Sequence, residues 1–304
     1  MNRDFFKTTK ILDGGMGQWL LTRGLTPVRT LWGASAFLEK KHHRLVVEAH
    51  QDFMNAGADV IITNSFTTRR QRLIENGLEN SFETFNTLAG ELAQKAKKHF
   101  PHVMVGGCLP PQQNTYEPDL RCFDRITHDF YDQAQLLNPY VDFFYFDVLS
   151  SFKECECALH AIESFNKPCL FGIHISKGSS LPSNDSLSSF SKLVKHSLSL
   201  GAILACVSPE VMNENIEALK GLEAPFGFKI NAFQTTCPNE GYTKKFKACM
   251  SGNPKDVLGK RSDITPSRLL DIAKTFRESG ATIFGGCCET TPDHSRALAA
   301  IKVA

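Results

Sequence analysis

The stretch Val141–Ser151, VDFFYFDVLSS, decides the fold. Four rings in a row, Phe143, Phe144, Tyr145 and Phe146, give a strand that is apolar on both sides, because successive side chains point to opposite faces. A half-exposed antiparallel strand would alternate apolar and polar residues. A parallel strand covered on both faces does not. Working outward, the same kind of run recurs in TKILDGG, GADVIITNSF, HVMVGGCLPP, PCLFGIHIS, GAILACVSP, FGFKINAF and ATIFGGCC. Between the runs lie helical spacings: Leu45, Ala49, Phe53 and Ala56; Phe82, Phe85, Ala89, Leu92 and Ala96; Phe190, Leu193, Val194 and Leu198; Leu269, Leu270, Ala273 and Phe276. About eight strand–helix units predict an α/β protein, a (β/α)8 TIM barrel occupying residues 1–304 as a single domain. A doubly wound open sheet would need a phosphate-binding glycine fingerprint, which DGGMGQ does not match.

In such a barrel the C-terminal ends of the strands meet on one face. Asp13, Asn64, Ser65, Asp147, His174, Cys206, Asn231 and Cys287 all fall at or near those ends, so residues far apart in the chain are expected to be neighbours. Asp147 is a lone carboxylate after FFYF; unpaired, it is expensive to bury, so it borders a polar pocket or meets a cation. Asp13 before Gly14 suits either a turn cap or a pocket acid. His174 is read as satisfying its strand end, and Arg69–Arg72 (RRQR) as a solvated helix start or an arginine contact for a substrate carboxylate.

A net charge of +2 gives no reason to expect nucleic acid or a membrane surface as partner. The N-terminus lacks the apolar core of a signal peptide, and no run approaches a membrane span, so the expected location is cytoplasmic. Ten cysteines in such a chain are thiols or metal ligands rather than disulfides. Cys122, Cys155, Cys157, Cys169, Cys237 and Cys249 are read as structural, and Cys108 as a remote candidate for lining the site.

The ending FGGCCETTPDH, Phe284–His294, places two cysteines behind two glycines. On a regular strand Cys287 and Cys288 would point apart. Gly285 and Gly286 permit backbone conformations closed to other residues, so a bent strand end could aim both sulfurs at one cation. With Cys206 as a third thiolate they would make a three-ligand zinc site with an open fourth position. The alternative is two small core residues at a strand end.

Taken in order, ILDGGMGQWL, GADVIITNSF, VDFFYFDVLSS, ACVSPE and FGGCCETTPDH resemble the successive motifs of the zinc-dependent homocysteine S-methyltransferases, the betaine- and S-methylmethionine–homocysteine methyltransferase type. The resemblance spans almost the whole chain. It implies Zn2+ held by Cys206, Cys287 and Cys288. It also implies homocysteine held by Asp13, Gly14, Gly15 and Asp147, and a donor pocket that includes Trp32. Asp147 stands where the family usually has Glu, one methylene longer. Ala205 replaces the usual Asn before the upstream ligand, and TNSFTTRR lacks a tyrosine found in some betaine-using members. GGCLPPQQNTYEPDL resembles the third-strand loop of bacterial members.

The implied reaction moves a methyl group from an onium donor (glycine betaine, S-methylmethionine or dimethylsulfoniopropionate) to the homocysteine thiol, giving methionine. The nucleophile is then the zinc-activated substrate thiolate, with no protein nucleophile. An onium cation suits aromatic faces, which makes Phe66 and Phe233 further donor candidates beside Trp32. Asn231 is assigned to the same pocket. The expected partners are these small molecules, with oligomers possible. Alternative readings are a non-catalytic zinc- or homocysteine-binding barrel, a subunit served by a separate corrinoid protein, and a metal-dependent hydrolase. The last lacks a suitable His pair at the strand ends. Residues 237–264 are long for a strand-to-helix loop and are expected to cover the site or contact another subunit.

Overall fold

The computed structural model describes residues 1–236 and 253–302. Eight parallel strands run β1 (Lys10–Ile11), β2 (Val60–Ile62), β3 (Met104–Leu109), β4 (Phe143–Leu149), β5 (Cys169–Ile173), β6 (Ser199–Val207), β7 (Phe226–Ile230) and β8 (Ile283–Gly286). The sheet order is β1-β8-β7-β6-β5-β4-β3-β2. A bridge from Leu12 to Val60 brings β1 against β2. The result is the expected (β/α)8 barrel.

All seven residues of β4 are buried. Phe143 and Tyr145 join the interior cluster with Leu12, Ile62, Leu170, Ile203 and Ile283. Phe144 and Phe146 belong instead to the layer between strands and helices. Each such ring contributes about 1.5–3 kcal/mol by leaving water. This two-sided burial is why the stretch has no polar alternation. A 3-10 turn, Arg3–Lys7, closes the barrel floor. It sets Phe6 edge-on to Phe143 at 6.1 Å, and Arg3 donates to the carbonyls of Ser199 and His196.

The helices follow the sequence spacing in most places. Phe82–Lys97 buries Phe82, Phe85, Ala89, Leu92 and Ala96 as expected. Phe152–Ile162 starts on Ser151, whose side chain accepts from the Glu154 N–H. The spacing that ran on to Leu198 is cut short: that helix is only Ser191–Val194, because β6 already begins at Ser199.

Two strands lose regular pairing near their C-terminal ends. In β6, Ala205 pairs with Lys229 and Val207 with Ile230, leaving Cys206 as an extra residue. In β4 the register slips between Phe146 and Leu149. Cys206 has φ +56° and Val148 φ +65°, a region that costs non-glycine residues about 1–3 kcal/mol. Bulges of this kind re-aim side chains beside functional sites.

Candidate metal and substrate site

The bulge in β6 turns Cys206 toward the end of β8. There its Sγ lies 3.9 Å from that of Cys288, which is itself 3.9 Å from that of Cys287. All three sulfurs lie within 4.8 Å of one another. Thiolates at ~2.3 Å around a tetrahedral zinc would be roughly 3.8 Å apart, so this donor set fits such an ion. The bend after β8 differs from the expected one. Neither Gly285 nor Gly286 has positive φ; the left-handed residue is Glu289, at φ +64°. The glycine is needed for room instead, since a Cβ on Gly286 would run into the Thr290 side chain. Thr290 Oγ1 donates to the Cys287 carbonyl at 2.7 Å and so holds the turn. A Cβ on Gly15 would approach that same carbonyl at 2.7 Å, so only glycine lets the DGG loop close over the cysteines.

Around Cys206 the support comes from Tyr116, which the sequence did not single out, and from His174. The Tyr116 hydroxyl is 3.1 Å from Cys206 Sγ. The Tyr116 ring lies 4.4 Å from that of His174, whose Nδ1 and Nε2 pair with the Ala205 carbonyl and Ser176 Oγ. Burial lowers the His174 pKa to about 4, so it is a neutral brace for the bulge, in line with its expected structural role. Burial opposes ionisation at Cys206, but hydrogen bonds from Cys287, Cys288 and Tyr116 hold its thiol well below the ordinary range.

The sulfurs open on a cavity lined also by Asp13, Gly14, Gly15, Trp32, Phe66, Cys108, Asp147, Lys229 and Phe233. Asp13 is 1% exposed. Its Oδ2 accepts the Ile62 N–H at 2.7 Å and its Oδ1 meets Lys229 Nζ at 2.9 Å. Lys229 rises from β7 inside the barrel, its side chain 5% exposed. Burial opposes its charge, but Asp13 and Asp147 outweigh burial and keep it protonated. Asp147 is 9% exposed; Oδ2 lies 3.6 Å from Cys108 Sγ, and Oδ1 makes no hydrogen bond of good geometry among the described residues. Burial pushes the Asp147 carboxyl up to about 7, against the pull of Lys229 and the Tyr145 hydroxyl.

The other wall is aromatic. Trp32 and Phe66 meet edge to face with centroids 6.3 Å apart, and Phe233 is buried nearby in the same lining. Three readings are corrected here. Asn231 does not line the cavity: it is fully buried, and its Oδ1 accepts the Phe233 N–H at 2.9 Å, so it shapes the strand end that carries Phe233. Arg69 and Arg72 are not solvated. Both are buried and line the cavity, Arg69 donating to the carbonyls of Gln113 and Phe66 and to Thr115 Oγ1. Cys122 is exposed at a helix start rather than part of the core. Cys155, Cys157 and Cys169 are buried away from the cavity. Cys237, Cys249 and the rest of 237–252 lie outside the described residues.

Lys229 is the main residue that sequence reading missed. Its signal was present: a single lysine in FGFKI, a run otherwise apolar enough to be buried. Tyr116 carried no such signal, because its φ of +68° and its reach to Cys206 come from the loop after β3.

Among the described residues, no helix is long and apolar enough to cross a membrane. The sequence model of the homocysteine S-methyltransferases matches residues 10–301. Homocysteine S-methyltransferase 1 of Saccharomyces cerevisiae is 24% identical, over 93% of this chain and 90% of its own length. The S-methylmethionine–homocysteine S-methyltransferase of Pongo abelii is 26% identical, over 94% of this chain and 77% of its own. The solved structure of the homocysteine methyltransferase MmuM from Escherichia coli, in a metallated form, superposes with a TM-score of 0.77 at 21% identity, covering 96% of each chain.

Proposed function

The chain belongs to the homocysteine S-methyltransferase family, and on that footing we propose that it transfers a methyl group from an onium donor to the thiol of homocysteine, with Cys206, Cys287 and Cys288 holding Zn2+. The observation that carries this reading is the convergence of three sulfurs, all within 4.8 Å of one another, on a cavity that also contains buried carboxylates. Zinc bound there would supply a Lewis acid that favours the thiolate form of the acceptor at neutral pH.

The protein's own residues do the rest. The glycine loop at Gly14 and Gly15 admits the acceptor close to Cys287. Asp147 offers a carboxylate to the acceptor's ammonium. Trp32, Phe66 and Phe233 surround the donor with ring faces, which attract a sulfonium or quaternary ammonium by about 0.5–2 kcal/mol per contact. Such a donor leaves as a neutral molecule, so no acid is needed to protonate it. Arg69 and Arg72 add positive charge to this wall, which suits a donor with a carboxylate tail.

Glycine betaine, S-methylmethionine and dimethylsulfoniopropionate all meet these requirements. The deciding experiment is methionine formation by the zinc-loaded protein from homocysteine with each donor in turn. Turnover with one of them is the expected result. A zinc-loaded protein that turned over none would overturn the onium-donor reading, and turnover only on adding a methylated corrinoid protein would replace it.

A further inference from the structure

The cavity holds one more charge than the reading above assigns to substrate. Asp13 and Asp147 both border it, yet the two carboxylates are not equivalent. Both oxygens of Asp13 are engaged, one by the Ile62 N–H and one by Lys229 Nζ. An arriving ammonium would have to displace that lysine or sit beside it, where like charges repel. Asp147 keeps an oxygen without a well-formed hydrogen bond. Lys229 is correspondingly under-used: Nζ carries three N–H donors, and among the described residues only Asp13 accepts one. It also lies 5.5 Å from the centroid of the Tyr145 ring. A buried ammonium with unmade hydrogen bonds is costly unless something in the cavity completes them.

We propose that Lys229 is an acceptor-binding residue: Lys229 Nζ and Asp147 Oδ1 receive the carboxylate and the ammonium of the amino-acid thiol, while Asp13 holds the lysine charged and in place. This rests on the reading that the cavity binds homocysteine. It reassigns Asp13 from direct contact with the substrate to positioning of Lys229. The pocket is then a receptor for a zwitterion, with one anion and one cation facing the ligand and one anion balancing the cation from behind.

The test compares three thiols by titration calorimetry with the zinc-loaded protein: homocysteine, 4-mercaptobutyrate, which lacks the ammonium, and 3-mercaptopropylamine, which lacks the carboxylate. Lys229→Met should weaken homocysteine and 4-mercaptobutyrate by roughly 10–100-fold, the scale of a hydrogen bond to a charged group. It should leave 3-mercaptopropylamine close to wild type. Asp147→Asn should do the converse, penalising the two amines and sparing 4-mercaptobutyrate. Equal effects of Lys229→Met on all three thiols would overturn the proposal. Because that change strands the Asp13 charge, the pair Asp13→Asn with Lys229→Met is measured alongside it. The same ratio of affinities is expected there, and a wild-type ratio would equally overturn the assignment. Methionine formation by the wild type separates the two claims. Turnover without Lys229-dependent selectivity sinks the assignment of Lys229 and leaves the methyltransferase reading intact. Selectivity without turnover does the reverse, and no binding of any thiol to the wild type sinks both.

Discussion

Two corners of one cavity are built on opposite principles. At the ends of β6 and β8, three like groups are pressed together by backbone geometry: a bulge at Cys206, a left-handed residue at Glu289 and glycines that leave room for Thr290 and Cys287. The hydrogen bonds that favour the Cys206 thiolate come from the two other cysteines and from the Tyr116 hydroxyl, and Lys229 favours the charged form of Cys287 from across the cavity. At the ends of β1, β4 and β7 the groups differ in sign, and the fold has already paired two of them, Asp13 and Lys229, at 2.9 Å. The first corner is shaped for an ion that brings positive charge. The second holds both signs and is shaped for a ligand that carries both charges. In the first corner backbone geometry gathers like donors; in the second, the β4 irregularity at Val148 places Asp147, while opposite charge holds Asp13 and Lys229 together.

The comparison breaks first if the sulfur corner tolerates substitution. Changing Cys206, Cys287 or Cys288 to Ser should abolish stoichiometric zinc and lower turnover by more than ~100-fold, beyond the loss seen for outer-shell changes at metal sites. Metal analysis and methionine assays check this together, and a fully active variant would remove that residue from the ligand set.

Stability separates the corners next. Lys229→Met alone leaves the Asp13 carboxylate buried and unpaired, and should cost about 3–5 kcal/mol in urea unfolding. Replacing both partners, as in Asp13→Leu with Lys229→Met, should recover most of that loss. If the double variant were as unstable as the single one, Asp13 and Lys229 would not be acting as a pair.

The pH dependence sharpens the role of Asp147. With its carboxyl pushed up to about 7, an ammonium held by Asp147 would lose its partner as pH falls below neutrality, so KM for homocysteine is expected to rise about tenfold per unit below ~6.5. Asp147→Asn should flatten that profile. The stability sign is opposite to that of a paired acid. The folded-state value lies above the ordinary 3.8, so the native state binds the proton more tightly. Stability from this group is present below pH ~4 and lost as pH rises through about 7, and Asp147→Asn should remove that decline. A thermal-melt series of the two proteins between pH 5 and 8 measures it.

The smallest expected effect is on the donor wall. Trp32→Ala should raise the donor's KM by roughly 2–30-fold, equivalent to about 0.5–2 kcal/mol, with homocysteine KM unchanged. An equal rise in both would mean that Trp32 supports the pocket rather than the donor.

Much of the barrel was readable in the chain because its signals are local. The rings of β4 report burial on both faces, and most of the strands end in a change from apolar to polar residues. The same logic brought Cys206, Cys287 and Cys288 forward, since a cysteine at a strand end stands out against its run. It failed where a side chain's surroundings come from elsewhere. RRQR looks solvated by composition, yet Arg69 is tied to Gln113 and Thr115 in the loop after β3, and Arg72 is buried in the cavity lining. Asn231 ends the right strand, but its Oδ1 turns back to accept the Phe233 N–H.

By itself, the sequence determined the number and kind of elements, the face of the barrel on which chemistry gathers and the identity of the thiols. These follow from the period of apolar residues, which each segment carries within itself. Only the tertiary structure decided how the charges are shared. Lys229 and Asp13 are 216 residues apart, and nothing local to either one states that they meet. Their pairing depends on barrel closure bringing β1, β7 and β8 side by side, and on the low-dielectric interior that makes an unpaired charge there too costly to keep.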